Sequence, residues 1–138
     1  MNINDVTGQV VDAAIGVPTA LGPGLLESAY RTCLAFQLRK RGLEVRTEVP
    51  VSFVYEGVEI DGAYRIDVLV NACVIVEVKA VAKLIPIHEA QLLSHMRLAD
   101  IRVGLLLNFH EAHMRDGIRR LVNKLPPSAP SASLRPLR

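Results

Sequence analysis

Residues Ala63 to Ala80 read AYRIDVLVNACVIVEVKA, two apolar runs on either side of a short turn. Runs this short and this rich in Val and Ile predict two neighbouring strands. The second run is apolar on both faces except at Glu77 and Lys79, which makes it a central strand covered on both sides. Into these runs the sequence places Asp67, Glu77 and Lys79. A buried charge is costly unless it is paired or bound to a metal. Two carboxylates about 4 Å apart repel by roughly 4 kcal/mol at an effective dielectric of about 20. A cation, a proton or the lysine must offset that repulsion.

The rest of the chain supplies the layers. Its 138 residues suit one domain with a real core. Hydrophobic residues make up 50% of it, which excludes disorder as a class. Trp is absent and aromatics are scarce, so the core must be Val, Leu, Ile and Ala. Val6, Val10, Ala13, Ala14 and Val17 recur at helical spacing and predict a helix over Asp5 to Thr19, weakened near its end by Pro18. Gly22-Pro23-Gly24 breaks the chain. A second helix follows from Leu25 to Arg41 on Leu26, Ala29, Tyr30, Cys33, Leu34 and Leu38, and Gly42 stops it.

From Leu43 the period changes to two. Leu43, Val45, Thr47 and Val49, then Val51, Phe53 and Tyr55, lead to a turn at Glu56-Gly57. Val58 and Ile60 precede a second turn at Asp61-Gly62. The strands Tyr64 to Val70 and Cys73 to Ala80 come next. A helix is expected over Pro86 to Ala99, a short buried strand over Val103 to Asn108, and a closing helix from Met114 to Leu125 carrying Ile118, Leu121, Val122 and Leu125. The late strand–helix–strand crossover implies a parallel pair, whereas the hairpins are antiparallel. The expected architecture is α/β, a mixed sheet flanked by helices. Residues 1–125 form the domain, and 126–138 a mobile, low-complexity Pro/Ser-rich tail. No internal repeat is evident.

Several function classes recede. Net charge is +2, from 16 basic and 14 acidic side chains, which argues only weakly for a polyanionic partner. The clusters Arg39-Lys40-Arg41 and Arg119-Arg120 with Lys124 read as solvated helix ends. Cys33 and Cys73 form no metal or redox spacing and read as reduced, buried thiols. The start, Met1-Asn-Ile-Asn-Asp, has no basic opening and no apolar core of a leader. No apolar run approaches about 18 residues. A cytoplasmic protein without membrane partners is expected.

Strand alternation puts Arg65, Asp67 and Leu69 on one face, and Ile75, Glu77 and Lys79 on one face of the next strand. In a hairpin Asp67 and Glu77 can then converge. Two carboxylates, with the Val78 carbonyl, offer hard oxygen ligands for Mg²⁺ or Mn²⁺. Such a metal lowers the pKa of a bound water and neutralises charge on a scissile phosphate. Lys79 points the same way and can orient that water or stabilise the developing charge. An Asp–Lys or Glu–Lys ion pair at a sheet edge explains the same triplet equally well.

Glu27, about three residues inside the second helix, is either a first-turn acid favoured by the helix dipole or a third acid of the site. Tyr30 lies one turn on. His88, Gln91 and His95 form a polar stripe at spacing three and four. That stripe is either a solvated face or a helix lying across the site, with Gln91 and His95 toward phosphate or base. His110-Glu-Ala-His113 lacks zinc spacing. Gly22-x-Gly24 is not a dinucleotide loop, since no strand precedes it.

Gly24-Leu-Leu-Glu27-Ser-Ala-Tyr30 matches the pattern Gly-x-x-Glu-x-x-Tyr. Tyr55-Glu-Gly57, Arg65-Ile-Asp67, Val74-Ile-Val-Glu77-Val-Lys79-Ala80, Glu89-Ala-Gln91-Leu-Leu93 and Val103-Gly-Leu-Leu-Leu-Asn-Phe109 follow in order. On these motifs the chain resembles the bacterial family named for GxxExxY, within the PD-(D/E)XK nuclease superfamily. The resemblance runs from about Val10 to Val122. It implies a restriction-endonuclease-like fold and a Mg²⁺- or Mn²⁺-dependent nuclease acting on DNA, in repair, recombination or defence. It implies catalytic roles for Glu27, Asp67, Glu77, Lys79 and Gln91; metal ligation is expected of Asp67, Glu77 and Val78, and substrate contacts of Tyr30, Arg65 and His95. The chain departs from the pattern at His95, where a tyrosine is usual, and at Pro18, where a histidine often stands. The competing function is a catalytically silent module binding nucleic acid or protein on the same fold. A duplex substrate suits a homodimer.

Overall fold

The computed structural model describes residues 1–22, 24–124 and 132–134. Helices α1 (Ile3–Leu21) and α2 (Glu27–Lys40) are followed by strands β1 (Val45–Tyr55), β2 (Val58–Val70) and β3 (Val74–Lys79). Then come helix α3 (Pro86–Ala99), strand β4 (Val103–Asn108), a 3₁₀ turn at Met114–Gly117, and strands β5 (Ile118–Val122) and β6 (Ala132–Leu134). The described strands form one sheet in the order β5-β4-β3-β2-β1-β6. Only β3 and β4 are parallel, joined by α3; the other pairs are antiparallel. The mixed, helix-flanked α/β sheet is as the sequence predicts, and β3 is central.

Two apolar clusters hold the layers. On one face, Val6, Val10, Ala14 and Val17 of α1 and Tyr30, Leu34 and Leu38 of α2 pack on Val74, Val76 and Val78 of β3 and Leu105 and Leu107 of β4. On the other, Leu92, Met96 and Ala99 of α3 pack on Ile75, Leu69 and Leu106. Each fully buried Leu or Val is worth about 1.5–3 kcal/mol. Asn2 caps α1 through a capping box with Asp5. Gly42, at φ 84°, ends α2. Its N–H donates to the Arg39 carbonyl, and the Leu43 N–H donates to the Leu38 carbonyl, a Schellman close.

Several local expectations are corrected. Helix α1 is slightly longer than expected at both ends and, as expected, carries Pro18 inside its last turn. Helix α2 starts at Glu27, so this residue is the first of the helix and not the third. Glu56 and Gly57 do form the β1–β2 turn, both with positive φ. Asp61-Gly62 forms no turn. It lies within β2, where the register shifts between the Val51 and Phe53 pairings, so it is a bulge. The closing helix is absent: Ile118–Val122 is a strand paired with β4. Ile118 and Leu121, spaced by three, serve opposite cores from opposite strand faces. Arg119 and Arg120 therefore stand on a strand and not at a helix end. Leu125 and most of the tail lie outside the described residues, but Ala132–Leu134 add a strand beside β1. Cys33 and Cys73 are free and half-buried rather than buried, and burial raises the Cys73 thiol pKa.

The largest departure bears on the site. Val68 packs with the α1/α2 cluster, yet Ile66, two residues earlier, packs with the α3 cluster. Strict alternation through Arg65, Asp67 and Leu69 therefore fails at Asp67. Its neighbour Glu48 on β1 explains this: Glu48 has φ 51° and interrupts the pairing between Thr47↔Val68 and Val49↔Ile66. The kink turns both strands over at the level of Asp67.

Candidate metal-binding active site

The β2–β3 ladder pairs Val70 with Val74, Leu69 with Ile75 and Val68 with Val76. Continued by one step, it would set Asp67 opposite Glu77. Here the strands stop pairing, and the Val78 N–H donates instead to the Asp67 side chain, Oδ2, at 2.9 Å. The Lys79 carbonyl accepts from Phe109 on the β4 side, so strand alternation turns the Val78 N–H and carbonyl toward β2. The parted strand ends thus gather two carboxylates and one backbone oxygen.

Burial and the Glu77 carboxylate push the Asp67 carboxyl up to about 6, against the lowering effects of the Val78 N–H and Arg31. Glu77 is only 7% exposed. Its Oε1 lies 2.9 Å from His95 Nδ1 on α3, and an ionised carboxylate accepts only, so Nδ1–H is the donor. The His95 ring stacks on Tyr64 at 4.3 Å and 7°. Among the described residues Tyr64 buries its hydroxyl without a hydrogen-bond partner, and burial raises its pKa. Lys79 is half-buried, and among the described residues its ammonium has no ion pair. Alternation along β3 puts it on the Glu77 face.

From the other face α2 brings Glu27, whose Oε2 accepts the Ala80 N–H at 3.2 Å, one residue beyond Lys79. Tyr30 does not reach solvent: it is 0% exposed and stacks on Phe109 at 4.8 Å. Its hydroxyl donates to the Gly22 carbonyl at 2.9 Å and accepts from the Leu25 N–H at 3.2 Å. It therefore fixes the turn that aims Glu27, which departs from the substrate contact expected of it. Gln91 and Arg65 are exposed. His88 Nδ1 accepts from the Ile85 N–H at the start of α3, so of the predicted stripe His95 alone binds a site acid.

Three contributors were missed from the sequence. Arg31 approaches Asp67, Tyr64 supports His95, and Asn108 pins the chain after Lys79. Asn108 accepts from Val81 N–H at 3.1 Å and donates to the Val81 carbonyl at 2.9 Å. Arg31 had a signal, since it follows Glu27 by one helical turn. Asn108 had one too, as the polar end of an apolar strand.

The set fits a hard divalent cation. Two acids are forced together at a cost that a cation would remove, and a backbone oxygen adjoins them. Among the described residues no group of three His, Cys, Asp or Glu side chains is arranged around a metal position, so water and the Val78 carbonyl would complete the shell. A comparison with models of protein families matches residues 4–121 to the PD-(D/E)XK nuclease superfamily. The chain belongs to that superfamily. No curated protein and no solved structure matches it. PD-(D/E)XK nucleases generally depend on a divalent metal, and the six-stranded mixed sheet with three flanking helices is consistent with their restriction-endonuclease-like fold. Among the described residues no helix is long and apolar enough to cross a membrane.

Proposed function

We propose that this PD-(D/E)XK protein is a Mg²⁺- or Mn²⁺-dependent nuclease of the GxxExxY branch that hydrolyses DNA phosphodiester bonds. The observation that carries this reading is the meeting of Asp67 and Glu77 where β2 and β3 part. Asp67, Glu77 and the Val78 carbonyl would hold the ion. When bound, the ion supplies an acidified water and neutralises charge on the phosphate. Lys79 orients the attacking water and stabilises the developing oxyanion. Glu27, fixed on the Ala80 N–H, orders water at the opposite side. His95 holds Glu77 in place rather than contacting substrate. Gln91 and Arg65, both exposed, are left to meet the nucleic acid.

A silent binding module is the second reading. Arg31, 3.6 Å from Asp67, favours it, because a guanidinium can neutralise the acid without a metal. Cleavage of single-stranded, duplex and branched DNA in Mn²⁺, by wild type and Lys79→Ala, separates the two. Products from wild type and a loss of roughly a hundredfold or more in the variant support the nuclease. No product on any substrate favours the binding module.

A further inference from the structure

Arg31 reaches two carboxylates from two strands. One terminal nitrogen lies 3.6 Å from Asp67 Oδ1 and the other 3.6 Å from Glu48 Oε1. Neither distance is that of a closed bidentate hydrogen bond. The side chain is 20% exposed. It also lines a cleft of about 560 Å³ with Gly24, Glu27, Ser28, Ala80 and His110. Arg31 thus stands between Asp67 and open space.

Glu48 shows that this placement is built in. It sits inside a strand at φ 51°, a conformation that a residue with a Cβ rarely adopts unaided. The register is unbroken across it, from Thr47↔Val68 to Val49↔Ile66, and its carboxylate lies 3.6 Å from Arg31. Asp67 already has the Val78 N–H and has Glu77 beside it. A cation entering between Asp67 and Glu77 would repel the guanidinium from Asp67. Glu48 would keep it tethered at the cleft.

We propose that Arg31 is the phosphate-binding cation of the site, held in reserve by Asp67 and Glu48, and that it competes with the divalent ion for Asp67. Its planar fork matches two oxygens of a phosphodiester, and the cleft it lines opens beside Glu27. Metal entry and strand binding would thereby be linked: with Asp67 committed to an ion, Arg31 would be free to hold the strand. This rests on the metal site proposed above.

The test is Mn²⁺ titration by calorimetry of wild type, Arg31→Ala, Glu48→Gln and Asp67→Asn, with anisotropy of a labelled DNA oligonucleotide in Ca²⁺ over a salt series. Arg31→Ala is expected to bind Mn²⁺ roughly three- to tenfold more tightly, because a competing cation is gone. It should bind the oligonucleotide about tenfold more weakly, with the salt slope reduced by about one. Glu48→Gln leaves Arg31 leaning on Asp67 alone and should weaken Mn²⁺ binding, a result that stands even if Arg31→Ala folds poorly. Mn²⁺ affinity in Arg31→Ala equal to or below that of wild type, or an unchanged salt slope, overturns the proposal while leaving the metal site intact. Wild type that binds no Mn²⁺ overturns the metal site, and this proposal with it.

Discussion

The imidazole of His95 lies 2.9 Å from the Glu77 carboxylate, with its ring stacked on Tyr64. Helix α3 is thereby tied to the one charged side chain that β3 buries among apolar residues. His95→Ala leaves that carboxylate without a donor and removes the stack. A loss of about 2–4 kcal/mol in urea unfolding is expected, with Mn²⁺ affinity reduced roughly tenfold or more because an outer partner orients its ligand. Full Mn²⁺ affinity in a folded His95→Ala would show that the contact does not position Glu77.

Asp67 gives the site a pH signature. Its carboxyl is raised to about 6 from the ordinary 3.8, so the folded protein holds this proton more tightly than the unfolded chain. The contribution is full below about pH 4 and is lost as pH rises to about 6. In metal-free buffer, Asp67→Asn should therefore match wild type near pH 4 and exceed it by about 1–3 kcal/mol at pH 7.5. The asparagine oxygen can still accept the Val78 N–H. Denaturation of both proteins in EDTA at the two pH values checks the difference. A variant less stable than wild type at pH 7.5 would refute the strain assigned to the acid pair.

Tyr30 anchors the turn before α2. Tyr30→Phe keeps the stack on Phe109 but removes the hydroxyl that joins Gly22 and Leu25. A loss of about 1–2 kcal/mol is expected, along with lower activity because Glu27 loses its alignment. Thermal unfolding and a cleavage assay read the two effects; an unaltered Tm would remove Tyr30 from this role.

Gly117 guards the segment behind the site. A Cβ at this position would collide with the Asn108 carbonyl oxygen, and Asn108 holds Val81 just past Lys79. Gly117→Ala should cost about 1–3 kcal/mol through overpacking, measured as a lower urea midpoint. A neutral substitution would mean that the 3₁₀ turn yields easily.

What could be read in advance follows from where the signals were local. Helix α3 and strand β4 were legible to the residue, because Pro86 opens the helix and Val103–Asn108 is a continuous apolar run. The convergence of Asp67 and Glu77 followed from hairpin logic. The closing element was misread because Ile118 and Leu121 suit either a helix face or the two faces of an edge strand, and only pairing with β4 decides. The kink at Glu48 was invisible, since no sequence rule puts a glutamate at φ 51° within a strand. It is this kink that breaks the alternation at Asp67 and brings Arg31, from a different layer, to the acid. Tyr64 acts through a tertiary contact that no spacing announces.

Joint binding of a divalent ion by Asp67 and Glu77 is what the proposed function stands on. A crystal soaked in Mn²⁺ and measured for anomalous scattering tests it directly. One peak is expected within roughly 2.0–2.4 Å of carboxylate oxygens of both residues, lost in Asp67→Asn. An empty position between them, with Mn²⁺ absent or bound elsewhere, would contradict it.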